Sequence, residues 1–99
     1  MEIRKKKDGS SLTLELEGRL DTTTAPELEA ELNQSLDGVT ALTLDMGQLA
    51  YLSSAGLRVI LTAQKRMNKQ GSMVVRHVNE TIMEVFEVTG FVDILTIEA

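Results

Sequence analysis

The chain has 99 residues, 42% of them hydrophobic and 25% charged, a composition that suits one soluble globular domain and excludes wholesale disorder. It carries a formal charge of −5, which argues against nucleic acid as a main partner. With no cysteine, disulfides and thiolate metal sites are excluded, and an intracellular, cytoplasmic location is the expectation. No apolar run approaches the roughly 20 residues a bilayer requires, so direct membrane insertion is not expected. The basic cluster Arg4–Lys7 lacks the apolar stretch that would make it a signal peptide.

Met1–Lys7 has only Ile3 as an aliphatic anchor beyond Met1, and reads as an edge strand whose lysines discourage further pairing. Asp8-Gly9-Ser10 is a hairpin signal. From Ser11 to Glu17, Leu12, Leu14 and Leu16 alternate with Thr13, Glu15 and Glu17, the pattern of a half-buried strand. Gly18-Arg19-Leu20-Asp21 is expected to leave that strand. Thr24 and Glu27 have capping-box spacing, and Pro26 falls where its missing N–H does no harm. Ala25, Leu28, Leu32 and Leu36 then form one apolar stripe, ended by Asp37-Gly38.

Val39–Met46 is β-rich and mostly apolar, as a central strand buried on both faces would be. A short polar loop is expected before a second helix, which runs to about Gln70 with Leu57, Ile60, Leu61 and Gln64 or Met67 inward. Lys65, Arg66 and Lys69 near its end and Gly71 after it agree with the helix dipole and the C-cap preference. Ser72–Val78 reads as the next strand. Asn79 can cap a third helix with Ile82, Met83 and Phe86 inward, ending at Gly90. Val92–Ile97 reads equally as a last strand or a short helix. The expected fold is a single α/β domain: a mixed, mostly parallel sheet of 4–5 strands with an N-terminal hairpin, connected by right-handed crossovers.

Ser53 and Ser54 open the second helix. One of them could be simply an N-cap. The doubled hydroxyl exceeds what capping needs, and Gly56 in the first turn is a poor helix former whose presence demands compensation. That compensation is either close packing on a strand or close approach of a partner's backbone. A phosphate on a hydroxyl here would face free helix N–H groups while changing the surface offered to a partner. Asp21 and Asp45 both follow strands, and the carboxyl ends of parallel strands gather at one edge. Asp45 is therefore expected near Ser54, and Asp21 could be; either could equally serve only its own turn.

Enzymatic readings find little support. Two carboxylates without a third ligand do not make a metal site. His77 is the only histidine, nothing ties it to the serines, and it reads as structural or solvent-facing. There is no P-loop or dinucleotide fingerprint, so no cofactor is expected. Met67, Met73 and Met83 read as core filling.

The run Leu42–Asp45, then Tyr51-Leu52-Ser53-Ser54-Ala55-Gly56-Leu57 and Val59-Ile60-Leu61, resembles the STAS domain (sulphate transporter and anti-sigma factor antagonist). It is most similar to the free-standing bacterial anti-sigma factor antagonists. Gly18-Arg19-Leu20-Asp21 resembles the family's G-x-[LI]-D, and Val88-Thr89-Gly90-Phe91 the end of its third helix. The resemblance implies a non-enzymatic partner switch. Unmodified, such a protein binds an anti-sigma factor that is also a serine kinase of the histidine-kinase-like ATPase type, freeing the sigma factor. Phosphorylation at the position of Ser54 blocks binding, and a PP2C-type phosphatase reverses it.

On this reading Asp21, Ser53, Ser54, Ala55, Gly56 and Leu57 contact the partner, with Ser53 an alternate phosphorylation site, and the protein alone is expected to be a monomer. Two positions depart from the family pattern: Ser53 stands where Asp is common, and Asp45-Met46-Gly47 where D-[LF]-S is common. A constitutive STAS subunit of a membrane-transport ATPase is the alternative from a different functional class, and a small-ligand site at the same loops is a third reading.

Overall fold

The computed structural model describes residues 1–98. Its order is β1 (Glu2–Asp8), β2 (Ser11–Leu20), α1 (Ala25–Ser35), β3 (Ala41–Leu52), α2 (Ser54–Gln70), β4 (Ser72–Arg76), α3 (Glu80–Thr89), a 3-10 turn (Phe91–Asp93) and β5 (Ile97–Glu98). The tail that read as strand or helix is thus a little of each.

The five strands form one sheet in the order β1-β2-β3-β4-β5. The β1–β2 hairpin is antiparallel, and every later pairing is parallel. Because each crossover from β2 onward advances in the same direction, the right-handed rule sends every helix to the same side. The leucine rows follow: Leu12, Leu14 and Leu16 of β2, Leu42 and Leu44 of β3 and Met73 and Val75 of β4 are buried beneath the helices. The residues between them, Thr13, Glu15, Thr43, Asp45 and Val74, are half-buried on the uncovered face. This corrects the expectation that β3 is buried on both sides. Ion pairs populate that face, Arg4 meeting Glu15 and Glu17, and Arg76 meeting Glu98.

Two strands outrun their expected ends. β2 continues through Gly18 to Leu20, and β3, expected to stop near Met46, continues to Leu52. The register slips between Glu15 and Glu17 and again between Gly18 and Arg19, so β3 spends extra residues against β2 while pairing on to Leu20↔Leu52. Bulges of this kind hide the two-residue period that marks a strand in sequence. β4 is shorter than expected and ends at Arg76, because His77 takes a left-handed conformation with φ of 59°.

The helices bury the predicted stripes with small adjustments. In α2, Val59, Ala63, Gln64 and Met67 are buried with Leu57 and Ile60, while Leu61 is only half-buried. In α3, Ile82 and Phe86 are fully inward and Met83 is half-buried. Phe86 stacks on Phe91 at 6.4 Å between centroids, closing the core under the tail. Asn79 caps α3 as expected, its side chain accepting from the Ile82 N–H at 2.9 Å.

The junction between α2 and β4 is tightly drawn. The Gln70 side-chain amide donates to the carbonyls of Leu36 and Val39, both at 2.7 Å, tying α2 to the approach of β3. A Cβ on Gly71 would overlap the Thr40 carbonyl, which also accepts the Ser72 N–H at 2.9 Å. Only glycine fits that contact.

Candidate functional site

The ends of β2 and β3 and the start of α2 meet at one edge of the sheet. The Ser53 N–H donates to the Leu20 carbonyl at 2.9 Å, extending the β2–β3 ladder by one bond before α2 begins at Ser54. Asp21 is the next residue after Leu20, so the ladder itself places Asp21 beside the two serines. Gly56 resolves the question its sequence position raised. A Cβ there would come within 2.7 Å of both Leu20 Cγ and Leu52 Cδ1, so the helix packs its first turn directly onto the two strand ends. Close packing on a strand is what compensates the glycine.

The two serines are not equivalent. Ser53 is the N-cap residue, with extended backbone at φ −100° and ψ 174°, yet its side chain makes no capping bond. Its Oγ is buried and has no hydrogen-bond partner among the described residues. Ser54 is exposed, the first residue of the helix. Gly56 and Leu57, grouped with the contact residues on resemblance, face the core; Leu57 is only 7% exposed. Ala55 is half-buried and Arg58 exposed, so the outward surface of the first α2 turn is Ser54, Ala55 and Arg58.

Asp21 organises the facing loop. Its Oδ1 accepts from the backbone N–H of Thr23 at 3.0 Å and of Thr24 at 3.1 Å, and its own N–H donates to the Thr24 hydroxyl oxygen at 2.9 Å. Arg19 Nε lies 3.5 Å from Oδ2. The Thr24 amide bond, followed by the other donors, holds the Asp21 carboxyl below the usual carboxylate range. This replaces the expected capping box. Thr24, at φ −97° and ψ −19°, makes no side-chain cap and instead donates its hydroxyl to the Arg19 carbonyl at 2.7 Å. The Asp21 carboxylate takes the Thr23 and Thr24 amides that lead into α1, while the Ala25 and Glu27 N–H groups go to the backbone carbonyls of Asp21 and Thr24.

Asp45 does not join this site. β3 runs on from Asp45 to Leu52, which at about 3.3 Å per residue places the carboxylate on the order of 20 Å from the start of α2. Its partners are local: the Gly47 N–H at 3.0 Å and His77 Nδ1 at 3.0 Å. Burial alone would raise its carboxyl, but the Gly47 amide and the His77 ring outweigh burial and hold it low. His77 thus has a structural contact with Asp45, and its side chain remains mostly exposed.

Sequence reasoning missed the flanking features. The Arg19 guanidinium lies over the Tyr51 ring at 4.1 Å, a cation–π pair beside Asp21. The parallel register Arg19↔Tyr51 creates it, but that register depends on the β3 bulges and has no local signal. A shallow groove between α1 and α2 starts at the same edge, with Thr22, Pro26, Glu29, Ala55 and Arg58 on its walls. Among the described residues no group of three or more His, Cys, Asp or Glu could hold a metal. No described helix is long and apolar enough to cross a membrane.

Comparison with known proteins agrees with this geometry. The family model described as "Mlab, STAS domain" matches residues 3–96. A candidate anti-sigma factor antagonist, BtrV of Bordetella bronchiseptica, is 40% identical over 84 residues, covering 83% of this chain and 72% of that protein. The anti-sigma-B factor antagonist of Listeria monocytogenes is 29% identical over 97 residues, covering 95% and 84%. The structure of the Bacillus cell fate determinant SpoIIAA in its phosphorylated form superimposes with a TM-score of 0.77 at 17% identity, covering 99% of this chain and 91% of that one. With a match spanning nearly its whole length, a sheet in the order β1-β2-β3-β4-β5 and its helices on one face, the chain belongs to the STAS domain family.

Proposed function

We propose that the protein is an anti-sigma factor antagonist switched by phosphorylation of Ser54. The observation that carries this reading is the contrast between neighbours: Ser54 is exposed on the first turn of α2, while the Ser53 oxygen is buried. An enzyme can reach Ser54 without disturbing the fold. The contacts that fix the helix start, Ser53 N–H to Leu20 and Gly56 against Leu20 and Leu52, do not use the Ser54 side chain. A phosphate there adds about −1.5 to −2 charges at pH 7 next to free helix N–H groups, which tolerate it.

In this account the unmodified face, built from Asp21, Ser54, Ala55 and the rim of the α1–α2 groove, binds an anti-sigma factor that is also a serine kinase with a histidine-kinase-like ATPase fold. The added dianion opposes docking wherever the partner presents acidic or apolar groups, and like charges brought together at an interface cost several kcal/mol. A PP2C-type phosphatase restores the binding form. The role is regulatory, and the setting is the cytoplasm. The description of the Bordetella and Listeria relatives as anti-sigma factor antagonists, and the phosphorylated form of the Bacillus protein, support the reading.

Incubation with the cognate kinase and ATP, followed by peptide mass spectrometry, tests it. Phosphate on Ser54 is expected; a peptide that stays unmodified there overturns the proposal. Ser54→Asp should weaken partner binding by about tenfold or more, since tenfold is only 1.4 kcal/mol, and Ser54→Ala should largely preserve it.

A further inference from the structure

Arg58 stands one helical turn after Ser54 and is the arginine left over. Arg4 pairs with Glu2, Glu15 and Glu17, Arg19 with Asp21, Arg66 with Asp37, and Arg76 with Glu98. Arg58 has no carboxylate within ion-pair distance among the described residues, although it is exposed and Glu29 lies on the wall of the same groove. Residues four apart on a helix have Cβ atoms about 5–6 Å apart. A long helical side chain also leans back over the turn N-terminal to its own Cα, here the turn that carries Ser54 and Ala55.

We propose that Arg58 is the phosphate-holding residue of the modified state: its guanidinium pairs with the Ser54 phosphate across one turn of α2. This rests on the reading of Ser54 as the phosphorylation site. The other charged groups of the neighbourhood do not compete for the role. Asp21 is an anion already engaged by Thr23, Thr24 and Arg19, and Arg19 is held between Asp21 and the Tyr51 ring. Glu29, on α1, would repel a phosphate. A planar, always-charged guanidinium suits two phosphate oxygens at once, while a lysine ammonium supplies the charge without that fork. The pairing fastens the modification to its own helix and partly neutralises it, so the face presented to a partner gains an ordered phosphate–arginine unit rather than a loose dianion.

The test uses the full-length protein with phosphoserine installed at position 54 during translation, so that it does not depend on any kinase. The second ionisation of the phosphate is followed by phosphorus NMR in the wild type, Arg58→Gln and Arg58→Lys. A nearby cation favours the dianion, so Arg58→Gln should raise the apparent second pKa by a few tenths of a unit, about 0.3 for an exposed pair one turn apart. Arg58→Lys should recover most of the shift. Equal values in wild type and Arg58→Gln overturn the proposal and leave the assignment of Ser54 standing, whereas a kinase that ignores Ser54 overturns that assignment and not the pairing. Arg58 is exposed, and unmodified Arg58→Gln with an unchanged melting temperature confirms that the comparison is made on a folded domain.

Discussion

Asp21, which follows Leu20, and Gly56, which packs on Leu20, do different work. Asp21 gathers the amides of Thr23 and Thr24, and those bonds depress its pKa. A carboxyl depressed on folding contributes stability that is complete above its unfolded pKa, near 3.8, and is lost as pH falls through the lower folded value. Asp45, depressed in the net by the Gly47 amide and His77, acts in the same window. Acid unfolding followed by circular dichroism should therefore show Asp21→Asn less stable than wild type at neutral pH, with the difference shrinking below pH 4. A difference constant from pH 7 to pH 2 contradicts this.

Gly56→Ala gains under about 1 kcal/mol of helix propensity but must force Leu20 and Leu52 aside, and overpacking of a core costs about 1–3 kcal/mol. Leu20 and Leu52 are themselves buried, so the steric term wins. Urea denaturation should place the Gly56→Ala midpoint below wild type; an equal or higher midpoint would mean that α2 can shift off the strand ends freely.

At the scale of elements, α2 is a beam pinned at both ends, by Gly56 on the β2 and β3 termini and by Gln70 and Gly71 on Leu36, Val39 and Thr40. The Thr40 carbonyl cannot rotate away like a side chain, so Gly71→Ala should cost about 3 kcal/mol, more than Gly56→Ala, in the same urea measurement. The elements themselves were largely legible in sequence. The leucine periods of β2 and α1 report burial directly, and Asn79 and Gly90 mark the bounds of α3 because capping is local chemistry.

The site was half legible. Ser54 at a helix start follows from sequence alone, and the Ser53–Leu20 ladder bond supplies the proximity of Asp21 that sequence left open. The placement of Asp45 went astray because the bulges carry β3 on to Leu52 through Gly47, Gln48 and Ala50, residues without strand character. The Thr24–Glu27 box fails for a local reason: Asp21 already holds the Thr24 N–H that Glu27 would accept, and the Thr24 carbonyl takes the Glu27 N–H.

For the whole molecule, one-directional crossovers leave the sheet with a helical face and a charged face, and bring the functional loops to a single edge. The proposed switch then needs no change of fold: phosphorylation of Ser54 would alter the charge at one exposed oxygen of an edge whose backbone is fixed by β2, β3 and Gly56. Co-purification of an intact transport ATPase, in place of a kinase, would instead assign the same edge a constitutive packing role. The most direct measurement is the affinity of the anti-sigma factor, by calorimetry, for the unmodified protein and for the protein carrying phosphoserine at 54, with circular dichroism recorded on both. The account predicts superimposable spectra and at least about a tenfold weaker Kd for the phosphorylated form. Equal affinities, or a phosphorylated chain that has lost its fold, would contradict it.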